Sequence, residues 1–90
     1  MNLPDDGLIL VVKEDCATCQ MIAPLAAVLE QQGLLKITFS QDNPAFPEGL
    51  NVEDDRDLET SFRLDTEIVP LLIRRKEGKE ESRVIGWHRD

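Results

Sequence analysis

The sequence is short of cations, soft metal donors and long apolar runs. Ten Lys and Arg stand against eighteen Asp and Glu, a formal charge of −8. A chain this acidic is repelled by nucleic acid and by anionic membrane surfaces, so neutral or basic partners are favoured. The first sixty residues hold 3 Lys/Arg against 12 Asp/Glu, while the remaining thirty hold 7 against 6. The longest purely apolar stretch near the start, Leu8 to Val12, is far too short for a signal-peptide core or a membrane span, and no cationic segment precedes it. A cytoplasmic location is therefore expected. The soft donors are Cys16, Cys19 and His88, one fewer than the four a structural zinc prefers. No metal or other cofactor is expected within one chain. There is no internal repeat and no low-complexity tract.

Ninety residues of ordinary hydrophobic content suffice for one small core and not for two, so residues 1–90 read as a single domain. Leu8-Ile9-Leu10-Val11-Val12 has the continuous β-favouring character of a strand buried on both faces. From Cys16 to Gln32 the period changes: Ile22, Leu25, Ala26 and Leu29 recur at helical spacing, and Gly33 marks a stop. Pro24 cannot donate to the carbonyl of Gln20, which predicts a kink one turn beyond the cysteines. Leu34 to Phe39 reads as a second strand, and the strand, helix, strand order implies parallel pairing through a right-handed crossover.

Residues Gln41 to Asn51 carry Pro44, Pro47 and Gly49 and read as an exposed loop tacked down by Phe46 and Leu50. Glu53 to Glu59 places acids where the start of a short helix would welcome them, with Leu58 and Phe62 as an i, i+4 pair. Ile68 to Arg74 is a further strand with Pro70 near its beginning. Lys76 to Lys79 then turns into an antiparallel partner running from Ser82 to Trp87. The sum is α/β: a mixed four-stranded sheet with flanking helices.

Cys16-Ala17-Thr18-Cys19 holds both thiols of the chain, at the point where the first strand gives way to the long helix. Residues i and i+3 of a helix are neighbours at about the separation a disulfide needs, so the pair can switch between dithiol and disulfide. A leaderless chain favours a reactive or metal-binding pair over a structural staple. Cys16, at the helix start, meets exposed N–H groups and the positive dipole end, which favour a thiolate nucleophile; Glu14, Asp15 and the net negative field oppose it. Cys19, one turn inside, is placed to resolve a mixed disulfide. Two other readings of the pair stand beside this one, a zinc half-site shared between chains and an inert pair. His88 reads as a solvent-exposed residue and Trp87 as filling a core edge or an interface.

In this order the residues resemble the thioredoxin family over nearly the whole chain. The strand Leu8 to Val12, the Cys16-x-x-Cys19 motif, Met21-Ile22-Ala23-Pro24 and Val69-Pro70 before an apolar strand carry the likeness, with Gly78 and Gly86 falling in the closing hairpin. The resemblance implies a minimal thioredoxin-like fold and thiol-disulfide oxidoreductase activity on proteins, in which Cys16 attacks and Cys19 resolves. It further implies that Pro70 is cis and faces the cysteines, that the Val69 backbone holds an extended substrate segment, and that Ala17 and Thr18 border it. The partners implied are a protein disulfide or dithiol substrate and an external reductase or other electron donor, with the chain monomeric. Departures are specific. Asp15 stands where the family has Trp, Ala17-Thr18 where it has Gly-Pro, and Leu10 where it tends to hold a buried acid. No strand-helix unit precedes the first strand, and three residues follow Trp87 where a terminal helix is expected, as in a minimal core or a piece of a longer chain. A non-catalytic binding or redox-sensing module is the alternative, and a dimer linked through the cysteines is a third reading.

Overall fold

The structure, a computed structural model, describes residues 3–86. Trp87 and His88, for which a core-edge and a solvent-exposed position were expected, lie outside them.

Every other strand is laid, directly or through a neighbour, against β1 (Gly7–Val12). Side chains alternate across a strand, and here both sides are apolar. Ile9 and Val11 enter one cluster with Phe39, Leu64, Leu71 and Ile73. Leu10 and Val12 enter the other, with Cys19, Ile22, Ala26 and Leu35. All four are at most 2% exposed, and full burial of such a side chain contributes roughly 1.5–3 kcal/mol. β2 (Leu35–Ser40) runs parallel to β1, and β4 (Leu71–Lys76) runs antiparallel on its other side. β5 (Lys79–Ile85) closes a hairpin on β4 through Glu77-Gly78.

Between β1 and β2 the chain crosses over through α1 (Ala17–Gln31), which continues through Pro24. Ile22 and Ala26 are buried and Leu29 packs against the second cluster, whereas Leu25, expected on the same stripe, is 46% exposed. The end is as the sequence predicts. Gln32 caps the helix, Gly33 takes φ +76°, and Leu34 N–H donates back to the Leu29 carbonyl at 3.0 Å, a reversal that glycine enters without steric cost.

Among the described residues the sheet has five strands, not four, in the order β3-β2-β1-β4-β5. The additional one, β3 (Val52–Asp54), pairs parallel to β2 at the edge, where the acidic run 53–59 suggested the start of a helix. An edge strand needs neighbours on one side only, so its polar composition concealed it. The helix that follows, α2, is confined to Glu59–Arg63. Leu58 precedes it with φ +61°, and Leu58 and Phe62 are 49% and 86% exposed, so the expected pair covers no core. β4 likewise starts at Leu71 and not at Ile68.

What anchors α2 is Asp55, 1% exposed. Its carboxylate accepts from the Thr60 N–H at 2.9 Å, the Ser61 N–H at 3.0 Å and the Ser61 hydroxyl at 2.6 Å. The Asp55 N–H donates to the Ser40 carbonyl at 2.8 Å, tying α2 to the end of β2. A buried carboxylate is tolerated only when hydrogen-bonded in this way. Asp55→Ala is therefore expected to lower unfolding free energy by about 2–4 kcal/mol, the cost of stranding buried donors. Urea unfolding followed by circular dichroism measures it, and a loss below about 0.5 kcal/mol, the range of an ordinary surface change, would contradict this account.

Candidate functional site

β1, β2 and β3 run parallel, so their C-terminal ends share one edge of the sheet, and the chain leaves β1 there through Lys13-Glu14-Asp15 into α1. Cys16 is the N-cap. Its backbone is extended, with φ −156°, its N–H donates to the Glu14 carbonyl at 2.8 Å, and its carbonyl accepts from the Gln20 N–H at 3.0 Å. The Cys16 sulfur takes the capping role usually given to a Ser or Asp oxygen: the Cys19 N–H donates to it at 3.1 Å. A sulfur bearing negative charge accepts such a bond best. Both cysteines are free thiols.

The two differ in setting. Cys16 is half-buried, whereas Cys19 has no exposed surface and packs among Leu10, Val12 and Ile22 in the second cluster. Burial above all, then the contact with Cys16, pushes the Cys19 thiol up from 9.0 to about 12, against a smaller lowering by Lys13. Cys19 is thus a neutral thiol at physiological pH.

Val69-Pro70 reaches the same corner by topology. β4 is antiparallel to β1 and begins with Leu71 opposite Val11, so the two residues before it lie beside the end of β1 from which the cysteines depart. The Val69–Pro70 peptide is cis and Pro70 is buried. Val69 and Cys16 pack against the same cluster. The Pro70 carbonyl accepts from the Gly86 N–H at 2.7 Å, while among the described residues no group takes the N–H or the carbonyl of Val69. Of the residues between the cysteines, Ala17 is exposed and Thr18 half-buried. Leu10 is 2% exposed within the core, so no acid stands at that point of β1. Among the described residues no group of three or more His, Cys, Asp or Glu is arranged to hold a metal.

One residue of this corner went unnoticed in the sequence. The Asp42 carboxylate accepts from the Glu14 N–H at 2.7 Å, the Asp15 N–H at 2.9 Å and its own neighbour Asn43 N–H at 2.6 Å, with the Ser40 hydroxyl at 3.4 Å. It bolts the loop after β2 onto the two residues that precede Cys16. Desolvation favours the neutral acid, but the N–H groups of Asp15, Glu14 and Asn43 outweigh it and hold the Asp42 carboxyl below the usual range. The only signal was an Asx residue directly after a strand, and such residues hydrogen-bond backbone in many loops.

These settings predict two outcomes. In the folded dithiol form, iodoacetamide at pH 8 should alkylate Cys16 at least about tenfold faster than buried Cys19, read by peptide mass spectrometry; equal labelling would refute the assignment of exposure. A depressed carboxyl stabilises above its unfolded pKa and loses that contribution as pH falls through its folded one. Asp42→Asn should accordingly cost about 1–3 kcal/mol at pH 7, and the deficit should shrink below pH 4. Denaturation at pH 7 and pH 3 tests the sign.

No protein-family model and no curated protein sequence matches the chain. Solved structures do. Thioredoxin O2 from Arabidopsis thaliana in its oxidized state is 19% identical with a TM-score of 0.61, covering 91% of this chain and 64% of that one. Thioredoxin (Mala s 13) from Malassezia sympodialis gives 15%, a TM-score of 0.62, and 91% and 64%. Reduced Schistosoma mansoni thioredoxin pre-protein gives 23%, a TM-score of 0.57, and 91% and 69%. The chain thus spans 64% of the length of the first two. At these identities the likeness is one of fold: among the described residues five strands and two helices form a thioredoxin-like α/β fold.

Proposed function

We propose that the domain is a thiol-disulfide oxidoreductase acting on protein disulfides through Cys16 and Cys19. The observation that carries the reading is the asymmetry of the pair: a half-buried sulfur at the cap of α1, held by the Cys19 N–H at 3.1 Å, above a fully buried thiol one turn on. The Cys16 thiolate attacks one sulfur of the partner disulfide, forming a mixed disulfide and releasing the first partner thiolate. Cys19 then gives up its proton and attacks the Cys16 sulfur. The second partner thiolate leaves, and both partner thiolates take up protons. Two electrons pass to the partner, and the Cys16–Cys19 disulfide is returned to the dithiol by an external donor. Run backwards, the same steps oxidise a partner dithiol. The free Val69 backbone is the group that would align an extended partner segment by strand-like hydrogen bonds, with Ala17 and Thr18 bordering it.

Cys19→Ser should trap partner proteins as mixed disulfides on Cys16, and Cys16→Ser should abolish reduction of a protein disulfide such as that of insulin. Undiminished turnover by Cys16→Ser would sink the assignment. Because burial keeps Cys19 protonated, release of the second partner thiol should accelerate with pH by about tenfold per unit below the Cys19 pKa. Stopped-flow measurement between pH 6.5 and 9 reads this directly, and a flat profile would show that Cys19 is not the resolving thiol. The linked stability has the opposite direction: a raised thiol pKa stabilises the reduced protein fully below pH 9, and that contribution is lost as pH climbs toward about 12.

A further inference from the structure

A groove of about 720 Å³ lies between α1 and the segment 43–48, with Glu14 at one end. Its helix wall is the face carrying Ala23, Pro24 and Ala27, small side chains that let a second backbone come close to the helix. Its other wall includes Phe46 and Pro47, with Phe46 packed onto the core cluster that contains Cys19. The groove is built and not incidental, because Asp42 clamps the start of this loop to Glu14 and Asp15, and the Asn43 amide donates to the Glu14 carboxylate at 3.3 Å. Its near end reaches the turn that leads into Cys16. Glu14 lines it, and the Gln20 side chain, also in the lining, donates to the Glu14 carbonyl at 2.7 Å, two residues before Cys16.

The charged groups of the lining are all acceptors. Glu14 and Glu48 are exposed carboxylates at its walls, and no Lys or Arg contributes. Pro24, having no N–H, denies the Gln20 carbonyl its helical donor. An apolar floor with acceptors and negative charge fits a chain that brings N–H groups and cations. From Cys16 to Ala27 the helix advances about 16 Å at 1.5 Å per residue, which is matched by about five residues of extended chain at 3.3 Å each.

We infer that the groove receives the segment of the partner protein flanking its reactive cysteine, that this segment is extended, and that it bears at least one Lys or Arg within about five residues of that cysteine. The inference rests on the exchange reading for its partner, yet it is separable from it by experiment. Ten-residue peptides with serine in place of cysteine, one carrying two lysines and its twin two glutamates, are titrated into the reduced protein at low salt and followed by backbone amide NMR. The lysine peptide should bind at least about fivefold more tightly than its twin, the scale of one or two partly exposed ion pairs, and should shift the amides of Ala23, Ala27 and Ala45. Glu48→Lys should abolish or reverse the preference, and 0.5 M salt should erase most of it. Equal binding of the twins, no binding of the lysine peptide, or shifts confined to other faces would overturn the inference. Disulfide-containing versions of the same peptides then separate the two readings. Exchange without charge preference overturns the groove alone, and serine peptides that bind while no disulfide exchanges uphold the groove and overturn the oxidoreductase.

Discussion

Burial of β1 on both faces is the constraint from which the rest follows. A strand with helix on one side and a second apolar cluster on the other cannot slide in register without exposing one of its two residue sets. The position of its last residue, Val12, is therefore fixed, and so is the place where the chain turns into α1. The corner that holds the two cysteines inherits its precision from that strand. Cys19 belongs to the core cluster under the helix, and Cys16 stands at the helix cap, so a packing arrangement and a chemical asymmetry are the same fact seen twice.

Around that corner the chain uses carboxylates as clamps. Asp42 gathers N–H groups from the loop that leads into α1, and Asp55 gathers those of α2 at the edge of the same sheet. Gln41 joins the two regions, its side-chain amide donating to the Ser61 hydroxyl at 2.7 Å while its N–H donates to the Val12 carbonyl at 2.9 Å. Two of the acids that make the chain −8 are thus spent on backbone donors. Glu14 and Asp15, directly before Cys16, and Glu48 in the segment 43–48 remain exposed. This gives the acidity of the first sixty residues a local meaning: part of it holds the loops, and part faces outward.

Much of the fold was legible because local signals and burial agree. The apolar run of β1, the helical period with Gly33 at its end, and the β4-β5 hairpin need only short-range pattern to be read. The misreadings share a cause. β3 is three residues of polar sequence at an edge, and α2 is five residues whose cap, Asp55, acts from outside the helix, so neither carries a period long enough to detect. Leu25 fits the apolar stripe by spacing and is left half-exposed because nothing among the described residues covers that side of α1.

The sequence by itself determined the α/β class, the central strand, and the adjacency of two thiols at a helix start, since each depends on residues close together in the chain. Tertiary structure alone decided that Cys19 would be buried and its thiol pushed up to about 12. It also brought Val69-Pro70 beside the end of β1, made Asp42 the clamp behind Cys16, and set segment 43–48 against α1 to form a groove. These last three join residues some 15 to 60 positions apart, and no local propensity encodes them; they appear when the sheet closes and its parallel strands deliver their C-terminal ends to one edge.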